Sequence, residues 1–294
     1  MTQRIAVIPG DGIGPEVARI GVRVLESLGL PLQFEWFDFG AERYLRDGTT
    51  LPPGFLETLR RDYAAVYFGA VGDPRVPGNE HAKGILLAMR FELDLYINLR
   101  PCILIDDRLS PLKGKGRDQL KFVVFRENTE GLYTGSGGVL KQGTPDEVAQ
   151  EMAMYVDALA MDLVRQPEAY DVIVTNNLFG DILTDLGAAL TGGLGIAASG
   201  NIHPGRVSLF EPVHGSAPDI AGQGKANPLA MALSGALMLE HLGHRREAER
   251  VTRAVEDQIR NGARTPDLVP FLGGPASTTD QVGSELLARL NAAP

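Results

Sequence analysis

The sequence predicts an α/β fold built on a parallel sheet, and three observations carry that prediction. Apolar runs of strand length recur at 5–8, 64–68, 121–125 and 172–175, and 32–39 alternates. Segments with helical periodicity separate the early ones, at 15–28 and 54–61. A β-α-β-α-β rhythm needs crossover connections, and these leave the joined strands parallel.

Taken in order, residues 5–8 form the first strand and 10–14 a glycine turn. Helix 15–28 starts at Pro15, whose fixed φ suits a first helical turn. Strand 32–39, helix 54–61 and the buried strand 64–68, ending at Gly69, follow. After the strands at 121–125 and 172–175, a long helix runs over 227–241 and is closed by Gly243. Two more helices cover 245–260 and 279–290. No internal repeat or low-complexity linker is present, so any domain division is built from crossing segments.

The turn Gly10-Asp11-Gly12-Ile13-Gly14 has the spacing GxGxG with an acid inside it, not GxGxxG. A standard Rossmann fingerprint is therefore not expected. The glycines instead predict a loop that passes close to another segment or a ligand.

With 294 residues, 44% of them hydrophobic, the chain can bury one large core or two modest ones. The net charge of −9 argues against general affinity for nucleic acid. No apolar run is long enough for a bilayer, and the start carries no signal-peptide pattern. The one cysteine, Cys102, cannot form an internal disulfide, which fits a cytoplasmic location.

Three groups of residues point to chemistry. Asp181 and Asp185, four apart after the strand 172–175, project from one helix face, and their mutual repulsion would be relieved by Mg²⁺ or Mn²⁺. DxxxD alone is more often a solvated acidic face. Arg90, Arg100 and Arg126 form the second group. Arg100 and Arg126 lie at the ends of apolar strands, where a guanidinium wants an anion and can clamp a carboxylate with two hydrogen bonds. Each alone more often serves a structural salt bridge. The third is the Gly- and Pro-rich stretch 211–228, a long loop before a helix that can wrap a ligand with its backbone. Tyr133 alone is more often a packed ring, but beside a metal and arginines it is a candidate proton donor.

Five motifs together carry a resemblance: IPGDGIGPE at 8–16, NLRP at 98–101, RENTEGLYTG at 126–135, NLFGDILTD at 177–185 and EPVHGSAPDIAGQGKANP at 211–228. The chain resembles the metal-dependent β-decarboxylating dehydrogenases of 2-hydroxy acids, the isocitrate/isopropylmalate dehydrogenase family, over nearly its whole length. Within the family it looks most like the branch acting on 3-isopropylmalate. The resemblance implies two interleaved domains, 1–95 with 193–294 on the cofactor side and 96–192, with the site in the cleft between them. It implies NAD, Mg²⁺ or Mn²⁺, a small 2-hydroxy dicarboxylic acid as substrate and a homodimer that shares its site.

By the same resemblance, Asp181 and Asp185 match the metal ligands, and Asp157 matches a third carboxylate that family members take from the neighbouring subunit. Arg90, Arg100 and Arg126 match the groups that hold substrate carboxylates, and Tyr133 the acid that protonates the enol. In the cofactor loop (His214, Gly215, Ser216, Ala217, Pro218 and Asp219), His214 lies against the adenine, with Asn227 nearby. Asp219 holds the adenosine ribose; a carboxylate there repels a 2′-phosphate and favours NAD. Leu86 and Leu87 suit an isopropyl group, although they could simply pack a helix.

Two departures stand out. Lys83 occupies a position close to where isopropylmalate enzymes often carry glutamate. Between Glu147 and Tyr155 the family continues through a helix, a strand bearing the lysine that takes the C2 hydroxyl proton, and another helix. This chain passes directly to Tyr155, and no residue matches that lysine. The same chemistry on tartrate, malate or homoisocitrate, and a ligand-binding homologue without turnover, are the alternative readings.

Overall fold

The computed structural model describes residues 2–129 and 155–292. Tyr133 lies outside the described residues. In chain order the elements are β1 (Gln3–Gly10), α1 (Gly14–Glu26), β2 (Leu32–Trp36), α2 (Ala41–Asp47), α3 (Phe55–Asp62) and β3 (Ala65–Ala70). A compound helix follows, made of α4 (Glu80–Ala82), a π turn (Lys83–Leu87) and α5 (Ala88–Glu92). Then come β4 (Ile97–Ile103), β5 (Lys121–Glu127), α6 (Val156–Arg165), β6 (Val172–Thr175) and α7 (Asn177–Leu190). The chain continues through β7 (Ala198–Ile202), β8 (Ser208–Pro212), α8 (Leu229–His241), α9 (Arg245–Asn261), α10 (Val269–Leu272) and α11 (Thr279–Ala292).

The eight strands of the described residues join one sheet in the order β2-β1-β3-β8-β7-β4-β5-β6. The expected parallel pairing holds for β2-β1-β3-β8 and for β5-β6. The joints β8-β7, β7-β4 and β4-β5 are antiparallel, so the sheet is mixed. β7 and β8 are separated by only a short turn, which cannot hold the crossover that parallel neighbours require. Neither strand is legible in the sequence, because their Ser, Gly, Asn and Glu residues break the apolar pattern. Arg100, expected at a strand end, sits in the middle of β4.

The period of two in each strand sorts side chains between two layers. Ile5 and Val7 of β1 face α1, α8 and α11, where Val17, Ile20, Leu239 and Leu286 are fully buried or nearly so. Ala6 and Ile8 face the other way, against Phe55, Leu59, Ile85 and Met89. In the far half of the sheet, Cys102, Phe122, Val124 and Ile173 pack on Leu159 and Leu163 of α6 and Leu183 and Leu190 of α7.

The opposite face of β4, β5 and β6 is bare among the described residues. Ile103, Phe125, Val172 and Val174 are exposed there, Val174 at 80%. Leu99, Ile103, Val123 and Phe125 line a groove of about 1080 Å³ against α8 and α9. A sheet built from crossover units is normally covered on both faces. None of the described helices is long and apolar enough to cross a membrane.

Candidate functional site

The glycine turn between β1 and α1 does what its spacing predicts. Gly12 has φ +58°, and a Cβ there would stand 1.9 Å from the backbone oxygen of Ser216. A Cβ on Gly10 would meet the Ala70 oxygen at 1.8 Å. The turn therefore lies directly against the 211–228 stretch, and the Ile13 N–H donates to Ser216 O at 2.8 Å. That stretch begins inside β8, so Glu211 and Pro212 are sheet residues, not loop.

Three arginines come from three separate elements: Arg90 from α5, Arg100 from β4 and Arg126 from β5. Arg90 donates to Glu211 Oε1 at 2.8 Å. Arg100 donates to Thr184 Oγ1 at 2.5 Å and lies 3.5 Å from Asp181 and 3.6 Å from Asp185. Arg126 donates to Asn177 Oδ1 from both Nε and Nη2, at 3.0 and 2.6 Å, and pairs with Asp181. Burial lowers the pKa of both buried guanidiniums. Arg126 is pushed down to about 10, helped by its neighbour Arg100. Both stay charged at neutral pH, with the carboxylates of Asp181 and Asp185 beside them.

Asp181 and Asp185 lie on α7, as the spacing predicts. That helix is anchored by the Asn176 side chain, which accepts from the Phe179 N–H at 3.0 Å. Burial, then the charge of Asp181, holds the Asp185 carboxyl above its usual range, with Arg100 acting against the rise. Asp157 sits on α6, exposed. Among the described residues no three His, Cys, Asp or Glu side chains converge as a metal site. The two α7 carboxylates are hard oxygen donors that suit Mg²⁺ or Mn²⁺, but they leave room for a further donor from elsewhere.

A cleft of about 140 Å³ brings several candidates together: Leu86, Arg90, Arg100, Glu211, His214 and Gly215. The π turn shifts the helical phase between α4 and Arg90, a distortion often found at functional sites. Leu87 does not line this cleft. His214 Nδ1 is 3.0 Å from the Gly215 oxygen, while its buried Nε2 has no protein partner. Burial lowers its pKa, so the ring is neutral at pH 7 and can offer Nε2 as an acceptor. Ala217 holds φ +40°, a strained conformation for a residue with a Cβ. Pro218 and Asp219 are exposed beyond it.

Asn227, expected near the adenine, is engaged within the fold itself. Its Oδ1 accepts from the Leu229 N–H at 3.0 Å, and its Nδ2 donates to Asp267 at 2.9 Å. The carboxamide thus ties the start of α8 to Asp267. Sequence reasoning missed Glu211, Asn201, Asn98 and Asn128, all buried. Asn201 donates to Glu211 at 2.8 Å and accepts from Asn98 and Asn128 at 2.9 and 3.0 Å. Their one available signal was the presence of polar residues inside predicted strand or motif segments.

The profile described as "Isocitrate/isopropylmalate dehydrogenase" matches residues 4–155 and 147–286. A 3-isopropylmalate dehydrogenase of Streptomyces griseus is 42% identical, over 97% of this chain and 98% of that protein. One from Thermobifida fusca is 40% identical over 98% of each. The S. griseus alignment runs over 351 residues, more than the 294 of this chain, so that relative carries internal sequence absent here. Among solved structures, isocitrate dehydrogenase from Methylococcus capsulatus superposes with a TM-score of 0.82 at 32% identity, covering 98% of this chain and 99% of the other. The TT0538 protein of Thermus thermophilus gives 0.83 at 30% identity, covering 100% of this chain and 69% of that one. On the profile match and the near-full-length identity, this chain belongs to the isocitrate/isopropylmalate dehydrogenase family.

Proposed function

We propose that the chain catalyses the NAD-dependent, metal-dependent oxidative decarboxylation of 3-isopropylmalate to 2-oxo-isocaproate, a step of leucine biosynthesis. The observation that carries this reading is the cleft where Leu86, Arg90 and Arg100 face His214 and Gly215. It offers two cations for carboxylates, an aliphatic wall and a glycine-turn-buttressed loop within one small space. Relatives at 40–42% identity bearing the name 3-isopropylmalate dehydrogenase support the substrate.

In this reading Arg90, Arg100 and Arg126 grip the substrate carboxylates. Leu86 receives the isopropyl group and excludes water from it; a hydroxyl or second carboxylate there would lack a polar partner. Leu87, beside it but outside the cleft lining, backs the helix. The 214–219 segment binds NAD, with His214 Nε2 as acceptor and the exposed Asp219 carboxylate ready for ribose hydroxyls. Asp181 and Asp185 hold Mg²⁺ or Mn²⁺ with Asp157 of a second copy, which makes the working unit a homodimer. When bound, the cation supplies Lewis-acid stabilisation of charge on the substrate oxygens, and NAD supplies the hydride acceptor. Tyr133 is the proposed proton donor. The cleft lies between the halves 1–95 with 193–294 and 96–192, which we take as the two domains.

The test is NADH formation by the purified protein with Mn²⁺, NAD and 3-isopropylmalate, against a panel of tartrate, malate and homoisocitrate. Turnover with 3-isopropylmalate above the others supports the reading and requires a base other than the family lysine. Preference for another acid overturns the substrate. Calorimetric binding of NAD and 3-isopropylmalate without turnover identifies a binding-competent homologue that lacks the base.

A further inference from the structure

Asp11 and His81 form a buried pair that the reaction just described does not use. Both side chains are inaccessible to solvent or nearly so, and His81 Nε2 stands 2.8 Å from Asp11 Oδ2. The Asp11 carboxylate also accepts from the Ala41 N–H at 2.6 Å and the Gly72 N–H at 2.9 Å. One carboxylate thereby ties together the β1–α1 turn, the start of α2, the loop after β3 and the start of the compound helix.

The same turn reaches in the opposite direction. Two residues beyond Asp11, Ile13 donates to Ser216 O in the cofactor loop, and Gly12 is packed on that oxygen. Gly72, held by Asp11, also faces Ser216, whose Oγ would be 3.4 Å from a Cβ there. In the compound helix, His81 comes just before the π turn that sets the phase of Leu86 and Arg90. Hydrogen bonds and a short backbone turn therefore link Ser216 through Ile13 and Asp11 to His81, which lies on the same compound helix as Arg90.

The pair is a costly way to join two elements. A fully buried imidazole whose Nδ1 has no partner carries a desolvation penalty that an aliphatic side chain would avoid. The Tyr44 ring lies tilted against it at 6.0 Å, a loose contact. What the pair provides is direction, because a bidentate-capable carboxylate and a planar ring fix the spacing of two elements in a way that aliphatic packing does not.

We propose that His81 is a positioning residue which, through Asp11, couples the cofactor loop to the helix carrying Leu86 and Arg90. NAD binding at 214–219 then orders the substrate-gripping helix before the hydroxy acid arrives. This rests on the functional reading above for the identity of the two ligands.

The first test is amide hydrogen exchange of the wild-type protein with and without NAD alone. Slowed exchange over 81–90 on NAD binding is expected, and unchanged exchange there overturns the coupling whatever the substrate proves to be. The second compares His81→Leu with His81→Gln, which keeps an amide donor for Asp11. His81→Leu is expected to bind NAD within about twofold of wild type, while the factor by which NAD tightens 3-isopropylmalate binding drops by about fivefold or more. His81→Gln is expected to restore most of it. A lower melting temperature with the coupling factor intact would make the role merely structural. Absence of 3-isopropylmalate binding to wild type, with NAD-induced protection present, would overturn the substrate and leave the coupling standing.

Discussion

Arg90 and Glu211 form an ion pair in the wall of the cleft, 2.8 Å apart, with both side chains largely removed from water. Asn201 donates to the same Oε1 atom, so Glu211 is held from two sides. Removing one member of a buried pair strands the other charge, which costs more than the pair itself contributes. Glu211→Leu is expected to destabilise the protein by about 3 kcal/mol. It should also weaken 3-isopropylmalate binding, because Arg90 loses its orientation. Urea unfolding and calorimetry check the two halves, and Glu211→Gln should be milder in both.

Asp181 pairs with two guanidiniums and is a proposed metal ligand. Asp181→Asn should weaken Mn²⁺ binding by at least the roughly tenfold that loss of even an outer-shell partner costs. Mn²⁺ titration followed by electron paramagnetic resonance measures it. Treatment of the wild type with a chelator should abolish turnover and leave NAD binding in place.

Cys102 packs against Gly187 of α7, where an added Cβ would stand 2.6 Å from Sγ. Gly187→Ala should therefore cost about 1–3 kcal/mol by overpacking. The loss should shrink in a Cys102→Ala background, a coupling that a double-mutant cycle in urea measures. Burial pushes the Cys102 thiol up to about 12, so it stays protonated at neutral pH. A disulfide reagent should not react with it until the protein opens.

Asp106 is held below its usual pKa, first by its hydrogen bond with the Arg108 side chain and further by the Arg108 N–H. A carboxyl with a lower pKa folded than unfolded stabilises the protein above its unfolded pKa, and that contribution is lost as pH falls through the folded value. Asp106→Asn is expected to lose about 1 kcal/mol or less at neutral pH. The difference from wild type should close in acid, as thermal melts across a pH series will report.

The face of β4, β5 and β6 that is bare among the described residues should bind an environment-sensitive apolar dye in the native state. Phe125→Ser combined with Val174→Thr is expected to reduce that fluorescence while leaving NAD affinity unchanged. Equal dye binding by wild type and the double variant would place the dye elsewhere.

Elements with strong local signatures are legible in the amino-acid sequence alone. The apolar run at 172–175 is β6, and the DxxxD spacing falls on α7, because period and strand length are local properties. The helices expected at 227–241, 245–260 and 279–290 appear within two residues at each end as α8, α9 and α11. β7 and β8 carry no such signature, because their buried polar residues are satisfied only in the folded sheet, by each other and by distant partners such as Asn98 for Asn201 and Arg90 for Glu211. The π turn at 83–87 has no sequence signal either, since its side chains read as an ordinary apolar helix face.

By itself, then, the sequence determined the elements with a strong local period, the glycine turn's need for a close neighbour, and the residue types available for anion, metal and nucleotide chemistry. The tertiary structure alone decided which neighbour the turn would meet, Ser216, and that Asp11 would clasp His81 on its other side. It also decided that Asn227 would accept the first N–H of α8 and that Arg90 would be held by Glu211, 121 residues away. The division is physical. Periodicity and turn chemistry act over a few residues, whereas buried polar groups take whatever partners the folded sheet brings within reach.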